Sequence, residues 1–276
     1  MRALVTGGAA RLGRAMTLAL ARAGFDVAVH YATSDEAAAG VVAEVRGMGR
    51  RAEALRADLT DEAQVVPLVG RAAGALGGPL TLLVNNASIF DYDNIQTATR
   101  AGWDRHLESN LRAPFVLIQH FAAQALAPET DENGEPQAQA LVVNMIDQRV
   151  WKLTPEFMTY TIAKAGLWTL TQTAAQALAP NVRVNAIGPG PTLRGARQSP
   201  SHFARQRAAT VLHRGSNPDD IVAALLYLLL ARAVTGQMIA VDGGQHLRCG
   251  PDYGHIARML YVDAVDDRII DLERES

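Results

Sequence analysis

Seven short apolar runs, at residues 3–6, 26–31, 51–57, 80–84, 141–145, 182–186 and 238–241, alternate with longer stretches of helical apolar spacing at 12–23, 35–47, 62–76, 101–126, 156–179 and 218–231. This alternation leaves few folds open. Parallel strands cannot be joined by tight turns, and a helix is the usual crossover between them, so the pattern predicts βαβ units. The expected architecture is α/β: a single Rossmann-like, doubly wound parallel sheet of about seven strands with helices on both faces. A chain of 276 residues suits one such domain, predicted over 1–247. The remaining 248–276 form a C-terminal extension of unassigned role, with apolar and acidic positions mixed over 256–272.

Charge and composition narrow the function classes. The net charge of −2 argues against a protein built to coat nucleic acid or an anionic membrane. The lone Cys249 excludes an intramolecular disulfide and a cysteine metal cage, and with the missing signal-peptide pattern it predicts a soluble, cytoplasmic protein. The longest apolar candidate, 221–231, is too short to span a bilayer. Residues 128–139, acidic and rich in turn formers, are expected to be a surface insertion. Residues 188–217, rich in Pro, Gly, Arg and Ser, follow the C-terminal end of a strand, where such sheets place ligands, and are expected to form a substrate lid.

The first strand opens into Thr6-Gly7-Gly8-Ala9-Ala10-Arg11-Leu12-Gly13 and then a helix. Gly7 and Gly13 permit close backbone approach, and the N–H groups of Arg11, Leu12 and Gly13 at a helix start suit a pyrophosphate. The second strand ends in His30-Tyr31-Ala32-Thr33-Ser34, without the acid that would bind a free ribose 2′-hydroxyl. With Arg11 nearby, His30, Tyr31 and Ser34 favour a 2′-phosphate and hence NADP(H); the competing reading of His30 is strand-end packing. Asp58 and Leu59 after the third strand, and Asn86, Ala87 and Ser88 after the fourth, would border the cofactor.

Lysine is rare here: Lys152 and Lys164 are the only two. Tyr160 and Lys164 stand four apart on one predicted helix face, and chance placement gives only about 0.04 such pairs. A lysine cation beside a phenol should favour the phenolate and lower its pKa, making Tyr160 an acid–base group near neutrality; a surface cation–π pair is the bland alternative.

TGGAARLG, NNAS, Asn110, Tyr160-x-x-x-Lys164, Gly188-Pro189-Gly190 and Val241-Asp242-Gly243-Gly244 together resemble, in order and spacing, the short-chain dehydrogenase/reductase family. The resemblance implies a nicotinamide-dependent oxidoreductase, assembled as a homotetramer or homodimer. It also implies that Asn110 supports a water relaying protons to Lys164, that Lys164 binds the nicotinamide ribose, and that Pro189 and Gly190 touch the nicotinamide amide. Two departures narrow it. Arg11 replaces the middle glycine of the usual TGxxxGxG turn, and Asp147 replaces the serine that normally precedes the tyrosine by 13 residues. A carboxylate there would repel a forming alkoxide but can accept hydrogen bonds from ring N–H and amino groups.

With Phe90 two residues after Ser88, these departures resemble the pteridine reductase and dihydromonapterin reductase branch. What that implies is NADPH-dependent reduction of a pterin or folate ring. Phe90 would sandwich the ring, Arg11, Ser88, Asp147 and Tyr160 would contact it, and Tyr160, Asp147 and water would deliver the proton. Core packing for Phe90 and a loop cap for Asp147 are the competing readings. Two other functions are weighed against this one: a carbonyl reductase for a 3-oxoacyl thioester or sugar, and a non-catalytic NADP-binding sensor.

Overall fold

The computed structural model describes residues 1–195 and 198–248. Its main sheet contains β1 (Arg2–Val5), β2 (Asp26–Tyr31), β3 (Ala52–Arg56), β4 (Leu82–Asn85), β7 (Ala140–Met145), β8 (Val182–Pro189) and β9 (Met238–Val241). All pairings are parallel, in the order β3-β2-β1-β4-β7-β8-β9, so the expected doubly wound sheet is present. β1 pairs Ala3 with Val27 on one side and with Leu82 on the other. Its alternating side chains divide between two cores. Ala3 and Val5 join Met16, Leu20, Val41, Val45, Leu225 and Leu228 beneath α1 (Arg11–Arg22), α2 (Asp35–Gly47) and α9 (Pro218–Leu230). Leu4 points to the opposite face, with Leu68, Leu76, Leu117 and Phe121 of α4 (Leu68–Leu76) and α6 (Ala113–Ala123). Burial of both faces explains why these strands read as nearly continuous apolar runs.

Several boundaries differ from expectation for physical reasons. The helix predicted over 62–76 is two, α3 (Glu62–Val65) and α4, because Pro67 cannot donate to the helical ladder. The helix predicted over 101–126 is α5 (Arg100–Leu107), a π-turn over Glu108–Arg112 and α6, and the π-turn carries Asn110. Such single-turn π-bulges often occur at functional sites. The insertion at 128–139 contains a small hairpin, β5 (Glu129–Thr130) with β6 (Pro136–Gln137), whose turn is tied by Asp131 accepting from Asn133 and Glu135 backbone N–H.

The stretch predicted as a lid is more ordered than its composition suggests. Gly188 and Pro189 belong to the sheet, paired with Ala240 and Val241 of β9, and α8 (Pro200–Ala208) lies within the stretch. Of the extension, only Arg248 falls within the described residues. Among those residues, no helix is long and apolar enough to cross a membrane.

Candidate active site

The chain order reverses between β1 and β4, and the C-terminal ends of β1, β4, β7 and β8 converge on that crevice, the usual ligand position in such sheets. Gly7 has φ +59°, and a Cβ at Gly13 would overlap the Gly7 carbonyl and approach Asn86 Nδ2. The turn is therefore close-packed against the β4 loop. Asn86 Nδ2 donates to Thr6 O (2.9 Å) and Gly7 O (3.2 Å), while Thr6 Oγ1 accepts from the N–H groups of Asn86 and Ala87. The N-cap of α1, Ala10, offers no side-chain acceptor, and the first turn carries no acid. Its leading N–H groups suit an external anion.

His30 has a role different from the one expected. It is buried, its Nδ1 accepts from Gly7 N–H at 3.0 Å, and its Nε2 lies 3.1 Å from Ala57 O. Because Nδ1 accepts, Nε2 carries the hydrogen and donates to Ala57. Burial lowers its pKa from 6.5 to about 4. A neutral ring with both nitrogens occupied offers no charge to a phosphate; it pins the glycine turn to β2 and β3. The unfolded chain takes up this proton first, so stability is whole above pH 6.5 and declines as pH falls toward 4. Between pH 7 and 5 the wild-type protein is expected to lose about 2 kcal/mol more stability than a His30→Gln variant, as read by urea unfolding at each pH.

Arg11 is also placed differently. Its backbone takes the left-handed φ of +52°, the conformation that the glycine it replaces would adopt readily. Its guanidinium donates to Leu193 O and Arg194 O beyond β8, four strands from β2 along the sheet, away from the β2 end. The cations near the β2 end are Arg56, whose Nε donates to Ala32 O (3.2 Å), and Arg71, which donates to Arg56 O (3.0 Å). The Tyr31 hydroxyl donates to Asp35 (2.9 Å), which holds its pKa above the ordinary phenol value. Ser34 occupies the N-cap position of α2 without a capping bond. Asp58 accepts from Thr60 N–H and hydroxyl, which lower its pKa, and Leu59 is buried.

Tyr160 and Lys164 lie on α7 (Met158–Leu178), both buried. The Tyr160 hydroxyl donates to Asp147 Oδ2 at 3.1 Å. Burial, together with the Asp147 carboxylate, raises the phenol well above its usual range, the reverse of the lowering expected from Lys164. Lys164 Nζ stands 5.8 Å from the Tyr160 ring centroid and donates to Met145 O at 2.8 Å. Its own pKa falls to about 8 through burial. Asp147 Oδ1 caps the turn Gln148–Trp151 through Arg149 N–H (2.8 Å), the loop cap weighed as its competing reading, while Oδ2 is left facing Tyr160.

Asn110 is fully buried, and the Ile89 main chain occupies both ends of its amide, at 2.9 and 2.8 Å. Its side chain thus clamps the β4 loop. Gly190 N–H donates to Val241 O beside Pro189, and a Cβ there would press on Asp242.

Phe90 is half exposed rather than packed into a core. It stacks on Phe157 at 4.3 Å with an interplanar angle of 7°, and meets the Tyr160 ring edge-on at 4.6 Å. The Arg149 guanidinium lies 5.1 Å from the Phe157 ring centroid. Phe157 and Arg149 were not among the expected site residues. Their only sequence signals are proximity: three residues before Tyr160 and two after Asp147.

A family profile described as Enoyl-(Acyl carrier protein) reductase matches residues 7–246. The chain belongs to the short-chain dehydrogenase/reductase family. It is 31% identical over 250 residues to a 3-oxoacyl-[acyl-carrier-protein] reductase, FabG, of Staphylococcus aureus, covering 89% of this chain and 98% of that one. It is similar to the crystal structure of FolM alternative dihydrofolate reductase 1 from Brucella canis complexed with NADP, at 43% identity and TM-score 0.83, over 91% of this chain and 96% of that one. A short chain dehydrogenase from Burkholderia cenocepacia in complex with NADP matches at 31% identity and TM-score 0.79, over 88% of this chain and 97% of that one.

Proposed function

We propose that this family member is an NADPH-dependent reductase of a pterin or folate ring, converting a dihydro form to the tetrahydro form. The observation that carries the reading is the Asp147 carboxylate on the Tyr160 hydroxyl, beside the stacked Phe90 and Phe157 rings. A flat heteroaromatic ring suits an aromatic shelf. Its N–H and amino groups suit a carboxylate acceptor, which a ketone oxygen does not. The similarity to FolM alternative dihydrofolate reductase 1 supports the same substrate class.

The site fits NADPH. The close-packed turn at Gly7 and Gly13 and the uncapped start of α1 would hold the pyrophosphate. Lys164 would bind the nicotinamide ribose, and Pro189 and Gly190 would border its amide. Arg56 and Arg71, beside the turn Ala32-Thr33-Ser34, would hold the 2′-phosphate. When bound there, the dihydronicotinamide would supply a hydride for reduction of a ring C=N bond. Tyr160, kept protonated by burial and by Asp147, delivers the proton to the ring nitrogen, and Asp147 orients the ring through its donors. Removing one exposed charge-assisted contact in Arg56→Gln is expected to weaken NADPH binding about tenfold and leave NADH binding unchanged, as measured by calorimetric titration of both.

A carbonyl reductase is the second reading, favoured by the identity to FabG. NADPH oxidation assayed with dihydrobiopterin, dihydromonapterin and dihydrofolate against 3-oxoacyl thioesters and sugars separates the two. Turnover of the carbonyl substrates alone overturns the proposal, and tight NADPH binding without turnover of any of them points to a non-catalytic sensor.

A further inference from the structure

Three buried polar side chains lie behind the site and take no part in the chemistry just described: Asp93, His106 and Thr159. They come from three segments. Asp93 lies within the loop after β4 that carries Phe90, His106 lies on α5, and Thr159 sits in the first turn of α7 beside Tyr160.

Their hydrogen bonds have one consistent direction. Asp91 N–H donates to His106 Nε2 at 3.1 Å, so the ring hydrogen sits on Nδ1. Nδ1 lies 2.6 Å from Thr159 Oγ1 and donates to it, and the Thr159 hydroxyl donates to Asp93 Oδ2. Asp93 Oδ1 accepts from Thr159 N–H at 3.2 Å, and Asp93 O accepts from Phe157 N–H at 2.7 Å.

This arrangement answers a need of α7. Its N-cap, Phe157, has φ +55° and contributes no side-chain cap, so the helix lacks the local Ser, Thr, Asp or Asn that usually satisfies the first N–H groups. Asp93, 66 residues away in sequence, supplies that acceptor from the substrate-side loop. The carboxylate also complements the positive end of a 21-residue helix dipole. The His106 ring stands 6.1 Å from the Tyr160 ring and packs edge-on against it, so the same group that directs Thr159 also supports the proton donor.

We infer that Asp93, Thr159 and His106 are positioning residues forming one unit that locks the β4 loop to the start of α7, so that the Phe90–Phe157 shelf and the Tyr160 hydroxyl keep a fixed mutual geometry. The inference rests on the proposed function only for the identity of the substrate. None of the three residues touches the reacting atoms. Their loss acts through placement, and displacements of about 1 Å can cost 10²-fold in rate.

Thr159→Val keeps shape and removes the hydroxyl; Thr159→Ser keeps the hydroxyl. In the full chain with NADPH bound, amide hydrogen exchange of Thr159→Val is expected to speed up about tenfold at 89–93 and 157–160 and nowhere else. Its kcat/KM for the ring substrate should fall about 10²-fold, through both kcat and KM, with NADPH affinity unchanged. Thr159→Ser should restore both readouts. Exchange in Thr159→Val that matches wild type overturns the inference, as does a Thr159→Ser variant no better than Thr159→Val. Should Thr159→Val fail to fold, His106→Gln, which keeps an acceptor for Asp91 N–H and drops the bond to Thr159, gives the same exchange comparison. A wild-type enzyme inactive on every pterin defeats the substrate reading alone, and the exchange result then decides the coupling by itself.

Discussion

Tyr160→Phe is expected to lower kcat for ring reduction by about 10³-fold while the NADPH dissociation constant stays within about twofold of wild type. The substitution removes a single oxygen from a buried position whose ring contacts, to Phe90 and His106, are kept by phenylalanine. What is lost is the proton donor. The phenol is held protonated by burial and by the Asp147 carboxylate, which suits a reductive step that consumes a proton. It follows that Tyr160 should not titrate near neutrality. Lys164, with a pKa near 8, is the group that changes charge there: it is cationic below that value and loses its charge as pH rises through it. The alkaline limb of kcat/KM is therefore expected near pH 8, and Lys164→Met should abolish it. A limb near 10 or above in the wild-type enzyme would assign the titration to Tyr160 instead. Stopped-flow NADPH oxidation across pH 6 to about 11 is the measurement.

How much of this was legible in the sequence depends on what each feature required. The sheet was legible because burial on both faces leaves a nearly continuous apolar record in inner strands such as β1, β4 and β7. The π-turn at Asn110 was not, since one extra residue in a turn barely disturbs the apolar spacing on either side. Tyr160 and Lys164 stood out by spacing, but their electrostatics did not. Helical spacing places the lysine near the phenol, yet the carboxylate closest to its oxygen comes from beyond β7, and burial adds to its effect. His30 failed for the same reason: a histidine at a strand end reads alike whether it meets solvent or, as here, two backbone partners. Arg56 was invisible as a candidate because its reach to Ala32 depends on the register of β2 with β3. Asp93 and His106 carry no local signal at all; the need they meet, an uncapped α7, exists only in three dimensions.

Asp147→Ser tests the feature that separates the proposed substrate class from the more general one. Serine can retain the cap on the Gln148–Trp151 turn, because a hydroxyl also accepts from a backbone N–H two residues on, so the loop should hold its shape. The change is therefore concentrated on Oδ2, the oxygen that faces Tyr160. For a pterin ring the variant loses a charged acceptor for ring N–H and amino donors, and kcat/KM is expected to fall about 10²-fold. For a carbonyl substrate the sign reverses. A serine hydroxyl can donate to the substrate oxygen, where the carboxylate opposes the negative charge that develops on it. The phenol also loses the neighbouring charge that contributes to its raised pKa, which makes it a better proton donor to an alkoxide. The ratio of pterin to 3-oxoacyl kcat/KM should accordingly drop by more than the pterin value alone, with NADPH affinity unaltered. Equal pterin turnover in Asp147→Ser and wild type would remove Asp147 from the reaction and leave the carbonyl reading as the better account of the site.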